Sequence, residues 1–182
     1  MSAQPGELGR RGLARAGEGA VVARLFFAIW PPQETALALE RWARGLEGRQ
    51  TPAHKIHLTL AFLGAADREK AKAAALRVQA EGFALPLEEA RHWAHNKIVW
   101  AGPRQLPAGL ARLAELLQVE LYREAFILER RPFAAHVTLL RKAAAQPLPA
   151  LPQVEWPVRE FHLVGSDLAS GSYRPLERFA LA

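Results

Sequence analysis

The sequence predicts an α+β fold: two pseudo-symmetric lobes facing each other, with largely antiparallel sheets flanked by helices. Three observations predict it. Strand-like and helix-like segments follow one another as strand, helix, strand, helix, hairpin, helix and then three strands, an order that favours antiparallel sheets with helices on them. The pattern His-apolar-Thr-Leu occurs twice, at residues 57–60 and 136–139, 79 positions apart, each copy with a helical segment upstream in its own half. Half of the 182 residues are hydrophobic, enough for a real core at a length that fits one domain or two small lobes.

The elements follow in order. Residues 24–30 form a short apolar and aromatic run stopped by Pro31-Pro32, which predicts a buried strand. Residues 33–46 are good helix formers, with Leu37, Trp42 and Leu46 at near-helical spacing and Gly45 and Gly48 marking the end. Residues 55–63 alternate between two faces and stop at Gly64, so they predict a strand. Asp67 is placed to cap a helix over 68–80. Residues 83–91 and 96–101 predict two strands joined by a turn near His95-Asn96. Residues 106–124 predict a long helix with Leu110, Leu113, Leu117 and Leu121 on one stripe. A strand over 133–141 opens after Pro132, and 143–156, with its three prolines, predicts a loop. Strands over 158–166 and 173–181, joined through Gly171, close the chain.

Residues 1–22 carry five glycines and scattered arginines without a hydrophobic period, which predicts a disordered extension ahead of one domain over 23–182. With no cysteine in the chain, disulfides, thiolate metal sites and Cys nucleophiles are excluded. No apolar run approaches the roughly 18–20 residues that span a bilayer, so a cytoplasmic protein without a membrane partner is expected. The net charge of +6 favours an anionic partner such as nucleic acid, although a generally Arg-rich composition accounts for it equally well.

A strand repeats every second residue. His57 and Thr59 therefore share one face and Leu58, Leu60 and Phe62 the other; His136 and Thr138 likewise oppose Val137 and Leu139. The apolar sets belong to a core, so the His and Thr pairs face something polar. Brought together, two imidazoles with ordinary pKa near 6.5 can divide the work of deprotonating water and protonating a leaving oxygen. Threonine hydroxyls can donate to phosphoryl oxygens, and Arg141 or Lys142 can neutralise developing charge. Such a set suits in-line attack on a phosphodiester with an internal leaving group, without metal or nucleotide cofactor. A single His-x-Thr is common by chance, and its histidine is usually structural; two copies in alternating strands are much rarer.

The motifs resemble those of the two-histidine phosphoesterases, and most of all the bacterial and archaeal RNA 2′,3′-cyclic phosphodiesterases, historically called 2′-5′ RNA ligases. The resemblance runs from Arg24 to about Leu181. It rests on residues 24–29, 57–64, 99–102 and 131–141, with Trp156-x-Val158 and Tyr173-x-Pro-Leu176 near the end. It implies a bilobal fold with two sheets lining a basic catalytic groove. The implied partner is an RNA ending in a 2′,3′-cyclic phosphate, tRNA fragments included, opened to a 2′-phosphate by a monomer; the reverse 2′-5′ joining proceeds without ATP. It implies His57 as proton donor and His136 as proton acceptor, Thr59 and Thr138 holding the phosphate, and Arg141 as the arginine after the second motif. Relatives often carry a proline just before the second histidine, where this chain has Ala134-Ala135.

Other residues are weaker candidates. His54 with His57, and His92 with His95, are three apart, but no Asp or Glu recurs at zinc-like spacing, so no metal is expected. Phe26, Phe27, Trp93, Trp100 and Phe133 could stack on a base, although aromatic strand residues are usually core. Phe133, just ahead of the second motif, is the best of them and is taken as a substrate-binding candidate. Two competing functions stay open: the same chemistry on a small cyclic phosphate or 2′-5′ oligonucleotide, and a non-catalytic RNA-binding module.

Overall fold

The computed structural model describes residues 24–182; the expected N-terminal extension lies outside the described residues. The strands are β1 (Arg24–Ile29), β2 (Arg49–Gln50), β3 (Leu58–Ala65), β4 (Phe83–Ala84), β5 (Glu89–Trp93), β6 (Ile98–Gly102), β7 (Val137–Arg141), β8 (Pro157–Val158), β9 (Glu160–Ser166) and β10 (Tyr173–Ala180). The α-helices are α1 (Gln33–Ala43), α2 (Arg68–Leu76) and α3 (Ala108–Arg123). Asp67 caps α2 as expected, its Oδ1 accepting from the backbone N–H groups of Glu69 and Lys70. The leucine stripe of α3, Leu110, Leu113, Leu117 and Leu121, is fully buried. Burial at such positions stabilises by roughly 1.5–3 kcal/mol per side chain.

All pairings are antiparallel. The large sheet runs β10-β9-β1-β3-β7-β6-β5, with β2 added to β7, and β4 pairs with β8 apart from it. It divides into the two expected halves, joined by one residue pair, Leu58 with Val137. The halves of the sheet are not halves of the chain. One contains β1 and β3 together with the C-terminal β9 and β10, and the other collects β2, β5, β6 and β7. The helices also cross over: α1 packs against β7 and α3 against β3, so the helix upstream of each motif supports the other motif's strand. One hydrophobic core, from Leu25 and Phe27 through Leu58 to Val99, Val137 and Leu139, is continuous beneath both halves.

Several element boundaries differ from the sequence expectation. The strand expected over 83–91 is broken at Leu85–Glu88, where Pro86 has no N–H to donate to a ladder, although Leu85 and Leu87 stay buried. The strand expected over 55–63 starts at Leu58, because residues 53–55 wind into a short 3₁₀ turn after Pro52. The strand expected over 133–141 starts at Val137, leaving 133–136 unpaired. Helices α1 and α2 stop short of the expected 46 and 80.

The register of β3 on β1 holds the most consequential difference. Ala28 pairs with Thr59 and Phe27 with Ala61, so Leu60 is an extra residue, a β-bulge. Beyond it the alternation is shifted by one, and Phe62, expected in the core, pairs with Phe26 on the Thr59 side and is 52% exposed.

Candidate active site

In an antiparallel pair the residues flanking a matched position face each other in reverse order. Because Leu58 is paired with Val137, His57 lies opposite Thr138 and Thr59 opposite His136. The two motifs are thus related by a local twofold passing between Leu58 and Val137. Both apolar residues point down and are fully buried, while all four polar residues are partly accessible on the other face. The two histidines are diagonal neighbours across the pair, a relationship that sets side-chain origins roughly 7–8 Å apart. Both imidazoles line one cleft.

Each imidazole is held in the same way. His57 Nδ1 lies 2.7 Å from the Lys55 carbonyl oxygen, and His136 Nδ1 lies 2.8 Å from that of Ala134. A carbonyl only accepts, so in both rings Nδ1 carries the hydrogen and donates it, and Nε2 is left with a lone pair when the ring is neutral. Aromatic rings fix the planes. Trp30 stacks on His57 at 5.1 Å, and Phe26 and Tyr173 approach it at 5.3 and 5.2 Å. Trp93 meets His136 edge-on at 4.8 Å.

Burial drives the His57 pKa down to about 4, with Arg141 and His136 adding to the shift and the bond to Lys55 opposing it. The His136 pKa is also lowered, chiefly by burial and then by Arg141, against the bond to Ala134. Both rings are therefore neutral near pH 7 while the cleft holds no anion. An anion placed between them favours the protonated form and moves both back toward neutrality.

The histidines and threonines open into one cleft of about 670 Å³, lined also by Arg49, Lys55 and Arg141 and, among the described residues, by no Asp or Glu. Its charge suits an anion, and among the described residues no three His, Cys, Asp or Glu side chains group to hold a metal. His92 instead contacts the Ala143 carbonyl through Nε2, and His162 approaches Glu160 at 3.4 Å. Of the site residues expected from sequence, His57, Thr59, His136, Thr138 and Arg141 come together. Phe133 does not: it lines a neighbouring cavity that shares Thr59, Phe62 and His136 with the cleft.

Sequence reasoning misses the wall behind His57. Tyr173 arrives on β10, three strands away in sheet order, and Lys55 is fixed over it by a bond from Nζ to the Gly171 carbonyl (2.8 Å). Arg49 and Gln50 arrive through the short β2, which pairs with Arg141 and Leu140. The one local signal for Lys55 is its place two residues before His57; Tyr173 stands in a motif of the resemblance, but nothing there assigns it to the site.

The RNA 2′,3′-cyclic phosphodiesterase of Escherichia coli (strain K12) is 40% identical over 169 residues, 87% of this chain and 96% of its own. The chain belongs to the LigT-like phosphoesterases. The family model, LigT like Phosphoesterase, matches residues 29–100 of this LigT-like phosphoesterase, a span that holds the first motif but not the second. The RNA 2′,3′-cyclic phosphodiesterase of Thermus thermophilus is 33% identical over 179 residues, 87% of this chain and 90% of its own. The crystal structure of E. coli LigT complexed with 3′-AMP superposes with a TM-score of 0.81 at 40% identity, covering 88% of this chain and 98% of that one. This LigT-like phosphoesterase therefore shares the mixed α and β fold of the E. coli LigT structure.

Proposed function

We propose that the protein opens RNA 2′,3′-cyclic phosphate ends to 2′-phosphates. His57 donates a proton to the departing 3′ oxygen, and His136 takes one from the attacking water. Thr59 and Thr138 hold the phosphoryl oxygens, and Arg141 neutralises the charge that develops on them. The observation that carries this reading is the twofold-related pair of histidines, each with Nδ1 tied to the carbonyl two residues before it and Nε2 left for the same cationic cleft. Water and leaving oxygen occupy opposite ends of an in-line displacement, so a base and an acid on opposite sides of one phosphate are what the reaction needs.

The same groups run the reverse reaction if a 5′-hydroxyl takes the place of water, giving a 2′-5′ bond without ATP. No metal is required, because the cleft has its own cations and, among the described residues, no carboxylate to hold an ion. The protein would act as a cytoplasmic monomer on RNA ends such as those of tRNA fragments; no helix among the described residues is long and apolar enough to cross a membrane.

The test is hydrolysis of an oligoribonucleotide ending in a 2′,3′-cyclic phosphate, with EDTA and no added nucleotide. A 2′-phosphate product supports the reaction and its metal independence together. No product, with tight RNA binding, points to a binding module. A small cyclic phosphate is the second reading, favoured by a cleft of about 670 Å³, within the range of small-molecule sites, and relative rates on a mononucleotide and an oligonucleotide decide between them.

A further inference from the structure

The local twofold between Leu58 and Val137 relates more than the two motifs. Thr59 pairs with Ala28 and Leu58 with Ile29, so Trp30 stands opposite His57 across β1 and β3. In the other half Thr138 pairs with Trp100 and Val137 with Ala101, so Gly102 stands opposite His136 across β6 and β7. The extra residue is repeated as well, Leu60 in β3 and Leu139 in β7. The symmetry therefore breaks beside the imidazoles themselves: the largest of side chains flanks one ring from the neighbouring strand, and none flanks the other. A Cβ at Gly102 would meet the Ala135 carbonyl oxygen at 2.6 Å, so no side chain takes that place without moving backbone.

Trp30 lies face to face with His57, the planes 27° from parallel. It is held from two further directions: Nε1–H donates to the His54 carbonyl oxygen at 3.3 Å, and the His162 ring meets it edge-on at 5.9 Å. The rings nearest His136, Trp93 and Trp100, are steeply tilted to it, at 63° and 76°. Charged and titratable neighbours do not separate the two imidazoles in this way. Arg141 acts on both, and each has one carbonyl on Nδ1. Lys55 and Tyr173 border His57 alone, but Lys55 Nζ is bound to the Gly171 carbonyl oxygen. What differs is the cover, and His57 is the more deeply buried of the two. A ring kept from water gives up its proton more readily, and a wetter one accepts it more readily. We propose that Trp30 is a positioning residue that makes the two histidines unequal, committing His57 to proton donation by covering one of its faces and leaving His136 to accept. The inference rests on the function proposed above, because it takes that acid and that base, and it adds what sets them apart. Trp30 acts through His57 and not on the substrate, since it does not line the cleft.

The test is an NMR titration of the histidine rings in the full chain, the two signals assigned by their loss in His57→Asn and His136→Asn. Trp30→Ala should raise the His57 midpoint by about one pH unit or more and move that of His136 by less than about half as much. Trp30→Phe keeps a ring in place without the indole N–H, and it should hold the His57 midpoint near that of the unsubstituted protein. Trp30→Gln replaces Trp30→Ala if the latter does not fold, with the same expectation. On the RNA cyclic phosphate, kcat of the Ala or Gln variant should fall about threefold or more while KM stays within about twofold. An unmoved His57 midpoint or an equal rise at both rings overturns the proposal. So does a fall at His57, the result if the indole face attracts the imidazolium more than burial disfavours it. A Trp30→Phe midpoint equal to that of Trp30→Ala, or a raised KM with kcat unchanged, overturns it as well. An unsubstituted enzyme inert on the RNA cyclic phosphate, whatever the titrations give, instead overturns the function on which the proposal rests.

Discussion

Leu58 and Val137 form the backbone pairing that joins β3 to β7, and the four motif side chains stand around that pair on the opposite face. Each imidazole sits one residue ahead of its strand and is tied to a carbonyl of the segment that leads into it. Replacing either His57 or His136 with Ala is expected to lower turnover by about 10²–10⁴-fold, the usual contribution of an acid or base. Far-UV circular dichroism should stay unchanged in both variants. Full activity in either one would remove that histidine from the mechanism.

The pH dependence follows from the direction of the two shifts. His57 is pushed down to about 4 and His136 below its usual value, so in the free enzyme both titrate on the acid side of 6.5. The kcat/KM profile, which reports the free enzyme, should be bell-shaped and peak below neutrality. The kcat profile reports the complex, where the bound phosphate raises both values, so its optimum should lie at higher pH. Coincident optima would contradict the role given to the anion.

Arg141 lowers the pKa of both histidines through space and lines the cleft. Arg141→Gln should therefore do two things at once. It should reduce kcat/KM, since charge on the phosphoryl oxygens is less well compensated, and it should move the whole kcat/KM bell to higher pH. A purely structural role for Arg141 would lower the height without moving the position.

Gly102 ends β6 against the segment that leads into His136. A Cβ there would sit 2.6 Å from the Ala135 carbonyl oxygen and 3.0 Å from the Trp100 ring, so backbone must move. Gly102→Ala is expected to cost about 1–3 kcal/mol in urea unfolding. It should also reduce kcat by about tenfold or more, because misplacement of a catalytic group by about 1 Å is costly. Unchanged kcat would show that His136 is positioned independently of this contact.

Burial of His57 also links stability to acid. An unfolded His57 binds a proton below about 6.5, whereas the folded one resists it until about 4. The unfolded state therefore holds more protons in that window, and stability is lost as pH falls from 6.5 to 4, by about 3 kcal/mol at most for a shift of this size. His57→Asn should flatten that part of the stability curve measured by chemical denaturation.

The chemistry of the site is legible in sequence where alternation governs it. His57 with Thr59, and His136 with Thr138, can be placed on one face because Leu58 and Val137 between them are strongly apolar. Their mutual approach is legible only as a repeated pattern. Phe62 is misread because an inserted residue at Leu60 shifts the count, and nothing in Leu-Ala-Phe-Leu signals a bulge. Phe133 is close to the second motif in sequence, but the unpaired run 133–136 directs it into the neighbouring cavity. Tyr173, Arg49 and Gln50 depend on sheet order, which local sequence does not carry. The same holds for the crossing of α1 and α3, since an amphipathic stripe shows which face is buried but not which strand it meets.

The wall beside His57 is supplied by Tyr173, near the end of the chain, on the far edge strand of the sheet. A chain under synthesis thus carries both histidines well before it carries a finished reaction chamber. Until β10 has added to β9, the His57 ring lacks its Tyr173 neighbour.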